Sequence, residues 1–208
     1  MHLKRQKAAI KLPIPRKGTK YIARPMSNLQ NSVSVVTAIR DMLKLAKNTK
    51  EVKKMIHEKQ LKLNGKIIRD HKASISLFNL LQADKTYFLT LLPTKKFFFQ
   101  LASDSSTRLC KITSKKLLKK NQIQFNCHDG TNLISDDKIT IGDSVCLDLK
   151  NKIKKHLPLV KEKSVFILSG KYLGLNGIVE SLNGNQANIK LKEKEKSAAL
   201  SKQQLIAI

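Results

Sequence analysis

"NTKEVKKMIHEKQLKLNGKII", Asn48–Ile68, changes its period part-way along. Its first half repeats at helical spacing. Val52, Met55 and Ile56 fall on one face. Lys50, Lys53, Lys54 and His57 share another, at intervals of three and four. Asn48 followed by Glu51 is a capping-box pattern, with Asn in the place of Ser or Thr. The second half ends the helix and turns: Asn64-Gly65 between apolar residues predicts a two-residue hairpin, because both turn positions need positive φ. Four like-charged or chargeable groups on one helix face repel each other, so that face is expected to meet an anion. Lys66 and Arg69 extend the same basic surface.

Upstream, residues 34–47 repeat as a helix, with Val36, Ile39, Leu43 and Ala46 on one stripe and Arg40, Lys44 and Lys47 on another. Before that, residues 1–40 contain no Asp or Glu but carry Lys4, Arg5, Lys7, Lys11, Arg16, Lys17, Lys20, Arg24 and Arg40. Pro13, Pro15 and Pro25 interrupt them, and apolar periodicity is weak. A segment of this kind does not bury enough surface to fold alone, so an extended arm that orders on a polyanion is expected.

The whole chain shares this bias. Its 208 residues hold 41 Lys and Arg against 15 Asp and Glu, a net charge of +26. Self-repulsion at that charge favours a polyanionic partner. Nucleic acid fits, because Lys and Arg release condensed counterions when they bind phosphate. Lys outnumbers Arg 35 to 6, which suits point-charge phosphate contacts better than bidentate base reading. With 5% aromatics and no Trp, several small cores are expected rather than one large one. No stretch approaches the roughly 20 apolar residues of a membrane-spanning helix. The basic start has no apolar stretch behind it and does not read as a signal peptide. Cys110, Cys127 and Cys146 form no CxxC, so neither a zinc ribbon nor a disulfide framework is expected, and reduced thiols are.

Downstream, residues 93–158 read as β. "IQFNCHDGTNLIS" alternates and turns at Asp129-Gly130; "ITIGDSVCLDL" alternates through Val145, Leu147 and Leu149. "LSGKYLGLNGIVESL", Leu168–Leu182, poses a choice between a phosphate loop and a barrel turn. A Walker loop needs GxxxxGK followed by Ser or Thr; here Val165 and Tyr172 occupy the deciding positions. A dinucleotide GxGxxG also fails, as Gly170 and Gly174 are four apart. A strand, a Gly-rich turn, a second strand, an Asn183-Gly184 turn and "QANIKL" predict an SH3-like barrel of about fifty residues. The glycine spacing resembles the KOW motif through Gly170, Lys171, Gly174, Gly177 and Val179, with the glycines serving positive-φ turns and close backbone approach. The Lys-rich tail from Glu193 is expected to fray.

From about Val35 to Leu92 the helix–helix–hairpin order resembles the small RNA-binding domain named after bacterial ribosomal protein S-four. The opening "MHLKRQKAAIKLPIPRKGTKYIARP", then "IRDMLKLA" (39–46), "HEKQLKLNGKIIRD" (57–70), "LCK" (109–111), "HDG" (128–130) and "HLPL" (156–159) resemble, in order, the archaeal and eukaryotic e-type S-four small-subunit ribosomal family. The early start looks archaeal. That family often has Pro and Trp just after its HLKR; Ala9–Leu12 supply neither.

The fold class expected is therefore α+β and multi-module: a basic extended arm (1–34), a small αα-β-hairpin RNA-binding domain (35–92), a central β domain (93–158) and a C-terminal SH3-like KOW barrel with a frayed tail (159–208). The resemblance implies a structural constituent of the small ribosomal subunit, cytoplasmic and ribosome-bound, with small-subunit rRNA and neighbouring ribosomal proteins as partners. No membrane, small-molecule substrate, cofactor or metal is expected. RNA contacts are expected at Lys4, Arg5, Lys7, Arg16, Lys17, Lys20, Arg24, Arg40, Lys44, Lys50, Lys53, Lys54, His57, Asn64, Lys66, Arg69, Lys171 and Tyr172. No GxSxG, HExxH, CxxC or DxDxDG pattern occurs, and the five histidines have no ligand spacing, so no catalytic residue is expected. His128-Asp129 reads as a turn rather than an acid–base pair. The alternative is a KOW-containing transcription elongation or RNA-chaperone factor, against which the acid-free arm speaks.

Overall fold

The Asn64-Gly65 turn forms as its chemistry requires, with φ of 51° and 79°. It joins β4 (Lys62–Leu63) to β5 (Lys66–Ile67) and pairs Leu63 with Lys66. The structure is a computed structural model and describes residues 2–102, 104, 106–118, 122–135, 139–192 and 197–208. The chain divides into two compact units, Met1–Ser105 and Ser106–Ile208.

In the first unit, β4 and β5 belong to a five-stranded antiparallel sheet with β7 (Leu80–Gln82), β8 (Thr86–Leu91) and β9 (Phe97–Leu101), in the order β5-β4-β7-β8-β9. Two small ribbons accompany it. One pairs β1 (Leu3–Lys4) with β2 (Tyr21–Ile22), and the other pairs β3 (Ser32–Ser34) with β6 (Ser74–Ser76). Leu61, Ile75, Leu81, Leu89 and Phe97 are fully buried.

Three expectations are corrected here. The first helix is shorter than residues 34–47: a six-residue π-helix spans Thr37–Met42, with Leu43 N–H donating to the Ala38 carbonyl. Lys44 then turns left-handed, at φ 57°, and stops it. The stripe is nonetheless right, since Val36, Ile39 and Ala46 are buried. The arm does not wait for a polyanion to order it. Leu3, Ala9 and Leu12 are buried, Phe97 N–H donates to the Lys11 carbonyl and the Lys96 amine to the Ile10 carbonyl. Three scattered apolar anchors suffice because the backbone is tied to the sheet edge. Finally, the fold is mostly β. The α-helix is α1, Thr49–His57.

The second unit has two five-stranded antiparallel sheets. The first runs β12-β11-β10-β13-β14, from β10 (Thr107–Leu117), β11 (Ile123–Cys127), β12 (Asn132–Ser135), β13 (Ser144–Asp148) and β14 (Ile153–Leu157). Phe125, Ile112, Val145 and Leu147 fill its core. The second runs β18-β17-β16-β15-β19, from β15 (Ser164–Ile167), β16 (Asn176–Asn183), β17 (Gln186–Leu191), β18 (Ser197–Ser201) and β19 (Leu205–Ala207). Val165, Ile167, Val179, Ile189 and Leu205 fill a separate core. The tail is thus not frayed beyond residue 196: β18 pairs with β17, and β19 with β15. Residues 193–196 lie outside those described. The turn after β16 is one residue later than expected, because Asn183 pairs with Gln186 and leaves Gly184-Asn185 as the loop.

A polar seam joins the two cores. Asp143 accepts hydrogen bonds from the Leu159 N–H (3.0 Å) and from the Thr140 hydroxyl and N–H, and lies 2.9 Å from His156 Nε2. Burial pushes this carboxyl up, but those hydrogen bonds outweigh it and hold it below the usual carboxylate range. Ser144 Oγ accepts from Ala207 N–H at 2.9 Å. The buried Lys111 amine donates to the carbonyls of Lys202 and Gln203, both at 2.8 Å.

Burial pushes Lys111 down to about 8. The folded chain then takes up that proton only below about pH 8, the unfolded chain below about 10.4. Between those values the unfolded chain holds more protons, so stability rises with pH. Denaturant midpoints of the wild-type chain should gain on those of Lys111→Met as pH climbs from 8 to 10. Parallel curves would mean the amine stays charged throughout.

Candidate nucleic-acid interface

The helix α1 is fixed at its start by a variant of the expected capping box, in which the Glu51 side chain reaches the amide of Lys47 and not that of Asn48. Asn48 Oδ1 accepts from Glu51 N–H at 3.0 Å, and the Glu51 carboxylate reaches back to Lys47 N–H at 2.6 Å. Val52 is fully buried and sets the helix's roll. The opposite face then presents Lys50, Lys53, Lys54 and His57 to solvent. Lys54 faces Glu58 at 3.8 Å, an exposed pair too weak to neutralise the face. Beside it a groove of about 700 Å³ is lined by Lys53, His57, Lys59, Arg69 and His71 against the one carboxylate of Asp70, with Ile56, Ile67 and Ile68 as its apolar members. Helix and hairpin thus meet in one basic depression.

The remaining expected residues divide by what they already do. Lys4, Lys7, Arg16, Lys17, Lys20, Lys44, Lys66 and Arg69 are exposed, and Arg24 is half-buried. Arg5 is a clip within the arm: its fork donates to the Pro15 and Thr19 carbonyls and to the Thr19 hydroxyl. Arg40 grips both oxygens of Asp41 at 2.8 Å and donates to Thr49 Oγ1. Asn64 Oδ1 accepts from Leu80 N–H at 2.9 Å, so its side chain braces the hairpin. In the second unit, Gly170 and Gly174 take positive φ of 93° and 85° at the turn. Gly177 sits in β16 instead, where a Cβ would lie 2.3 Å from Ile189 Cγ2. Lys171 is exposed with its amine 5.8 Å from the centre of the Tyr172 ring, and Tyr172 packs against the core of the β15–β19 sheet.

A buried cluster escaped the sequence reading. Cys110, Cys127 and Asp129 bring their ligand atoms within 4.8 Å of one another. Arg108 fills the place a metal would take. Its guanidinium contacts Asp129, lies 3.2 Å from Cys110 Sγ, and donates to Thr131 Oγ1 (3.0 Å) and Asn151 Oδ1 (2.9 Å). Hydrogen bonding with Cys127, burial and nearby Asp129 push the Cys110 thiol up, away from the thiolate a metal needs. Asp129 goes the other way. Burial pushes it up, but the Arg108 charge, the Thr131 N–H and the Arg108 hydrogen bond hold it below the usual range. The Arg108-Leu109-Cys110-Lys111 and His128-Asp129-Gly130 stretches are therefore two halves of one structural network.

Comparison with known proteins accords with this architecture. Residues 83–153 match the family model described as Ribosomal family S4e. The small ribosomal subunit protein eS4 of Methanocella arvoryzae is 32% identical over 188 residues, spanning 87% of this chain and 80% of that one. This chain belongs to the eS4 family. The eS4 of Pyrobaculum aerophilum is 31% identical, covering 93% of this chain and 89% of its own. The crystal structure of 30S ribosomal protein S4e from Thermoplasma acidophilum shares the fold, with TM-score 0.73 at 22% identity, covering 86% of this chain and 95% of that one. Among the described residues, no helix of this eS4-family chain is long and apolar enough to cross a membrane.

Proposed function

We propose that the chain is a structural constituent of the small ribosomal subunit that binds and stabilises folded rRNA, with neighbouring ribosomal proteins as its other partners. The observation that carries this is the exposed cationic face of α1, set beside the basic hairpin, on a chain of the eS4 family. RNA helices are recognised through shape, phosphate and 2′-OH contacts, which suits lysines rather than arginine forks. In this reading residues 35–92 act as an S-four-like RNA-binding domain and residues 159–208 as a KOW-type barrel offering Lys171 at its Gly170–Gly174 turn. The acid-free arm adds Lys4, Lys7, Arg16, Lys17 and Lys20 to the phosphate contacts. The setting is the cytoplasmic ribosome, and the chain's task is architectural rather than enzymatic.

Sucrose-gradient fractionation of native lysate, repeated at high salt, tests the assignment. Roughly one-to-one migration with the small subunit that survives high salt is expected. Migration at the top of the gradient, or with RNA polymerase, would replace it with a transcription-factor role. The α1 face has its own test. Reversing Lys50, Lys53 and Lys54 to Glu should weaken RNA binding and lower the slope of log affinity against log salt by about 3. An unchanged slope would remove that face from the interface.

A further inference from the structure

A second depression in the first unit has a different build from the α1 groove. It encloses about 960 Å³ between the arm, the π-helix and the His71-Lys72 turn. Its cations are Arg5, Lys17, Arg40, Lys44, Lys47 and Lys72, against the single carboxylate of Asp41. Arg5 and Arg40 are committed to the arm and to Asp41. The four lysines are exposed, and none has an ion pair among the described residues. The cleft is also lined by apolar residues, Pro13, Ile14, Pro15 and Ile22, with the half-exposed ring of Tyr21.

Two backbone irregularities border the cleft. The π-helix Thr37–Met42 contributes Thr37, Arg40 and Asp41, and left-handed Lys44 follows it. Both conformations are uncommon, and π turns recur at functional sites. Here they aim Lys44 and Lys47 at the same space as Lys17 and Lys72. A cleft lined both by lysines and by apolar, part-aromatic surface offers contacts to both halves of a nucleotide. The volume sits at the upper end of the roughly 300–1,000 Å³ of small-ligand clefts, room enough for one nucleotide.

We propose that this cleft receives one unstacked nucleotide from an RNA loop or bulge, its base against Pro13, Pro15 and Tyr21 and its flanking phosphates on Lys17, Lys44, Lys47 and Lys72. The inference rests on the rRNA-binding reading and sharpens it. The α1 face would take duplex backbone, while the cleft discriminates in favour of an extruded base. Stacking on apolar and aromatic surface is sequence-tolerant, so the preference is for the bulge and not for one base.

The test compares a 20-base-pair RNA duplex with the same duplex carrying one bulged 2-aminopurine, each titrated with the full chain near physiological salt. The bulged RNA should bind about tenfold tighter, with altered 2-aminopurine fluorescence. The triple variant Lys44→Gln, Lys47→Gln, Lys72→Gln should lose that preference. A Lys50→Gln, Lys53→Gln, Lys54→Gln variant should weaken both RNAs equally and keep the preference. Equal binding of the two RNAs by the wild-type chain, or a preference that survives the Lys44, Lys47 and Lys72 changes, would overturn the cleft and leave general RNA binding standing. So would binding of a polyglutamate peptide that the triple variant loses, without any bulge preference; the cleft would then belong to an acidic protein segment. Binding of neither RNA would overturn the rRNA reading itself.

Discussion

Arg108→Ala should lower the unfolding free energy by about 3–5 kcal/mol, the usual loss when one partner of a buried ion pair is removed. Both side chains of the Arg108–Asp129 pair are 1% exposed. Without the guanidinium, Asp129 keeps its negative charge with no cation beside it, and Thr131 and Asn151 lose a donor. The net worth of the pair is a separate matter. Arg108→Met combined with Asp129→Leu removes both charges and should recover most of the loss. Urea denaturation of the wild type, the single and the double variant decides it. A single variant within about 1 kcal/mol of wild type would mean that the network relaxes instead of stranding a charge. The pair also carries an acid sensitivity. Asp129 is held below its unfolded value, so its stabilisation is complete above about pH 3.9 and fades as pH falls further. Asp129→Asn should flatten that limb.

Gly177→Val should destabilise the sheet of β15–β19 by about 1–3 kcal/mol or more, through overpacking. The first side-chain atom alone would meet Ile189 Cγ2 at 2.3 Å and the Lys190 carbonyl oxygen at 2.9 Å. The second contact is backbone of the neighbouring strand β17, which cannot swing aside as a side chain does. Gly184→Ala is the control, because a Cβ there meets nothing within 4 Å although φ is 52°. The Gly177 substitution should lower the midpoint clearly further. Equal losses would show that β16 and β17 separate easily and that close approach is not what this glycine serves.

What was legible in the sequence was what neighbouring residues decide. The Asn64-Gly65 turn, the Asn48–Glu51 cap, the alternation through Val145 and Leu147 and the charged stripe of α1 all have their partners within a few residues. The buried network did not show itself, because Arg108 and Asp129 are 21 residues apart and each looks ordinary alone. The arm misled for a related reason. Leu3, Ala9 and Leu12 follow no period, and their burial depends on sheet-edge hydrogen bonds to a strand that begins at Phe97. The helix kept Val36 and Ile39 buried but changed its pitch and stopped at Lys44, and periodicity alone resolves neither. The basic groove at α1 was half visible as a run of lysines. The cleft was not, since it gathers residues from 5 to 72 that share only their final position.

The polar seam of the second unit bears on how this part of the chain can be rearranged. Residues 159–208 cut out on their own would leave the amides of Leu159 and Ala207 without Asp143 and Ser144. The sheet left behind would lose both carbonyls to which the Lys111 amine donates. Neither piece is a spare part. In a chimera residues 106–208 should be transplanted as one cassette, and a graft of residues 159–208 alone should be less stable for want of the Asp143 and Ser144 acceptors.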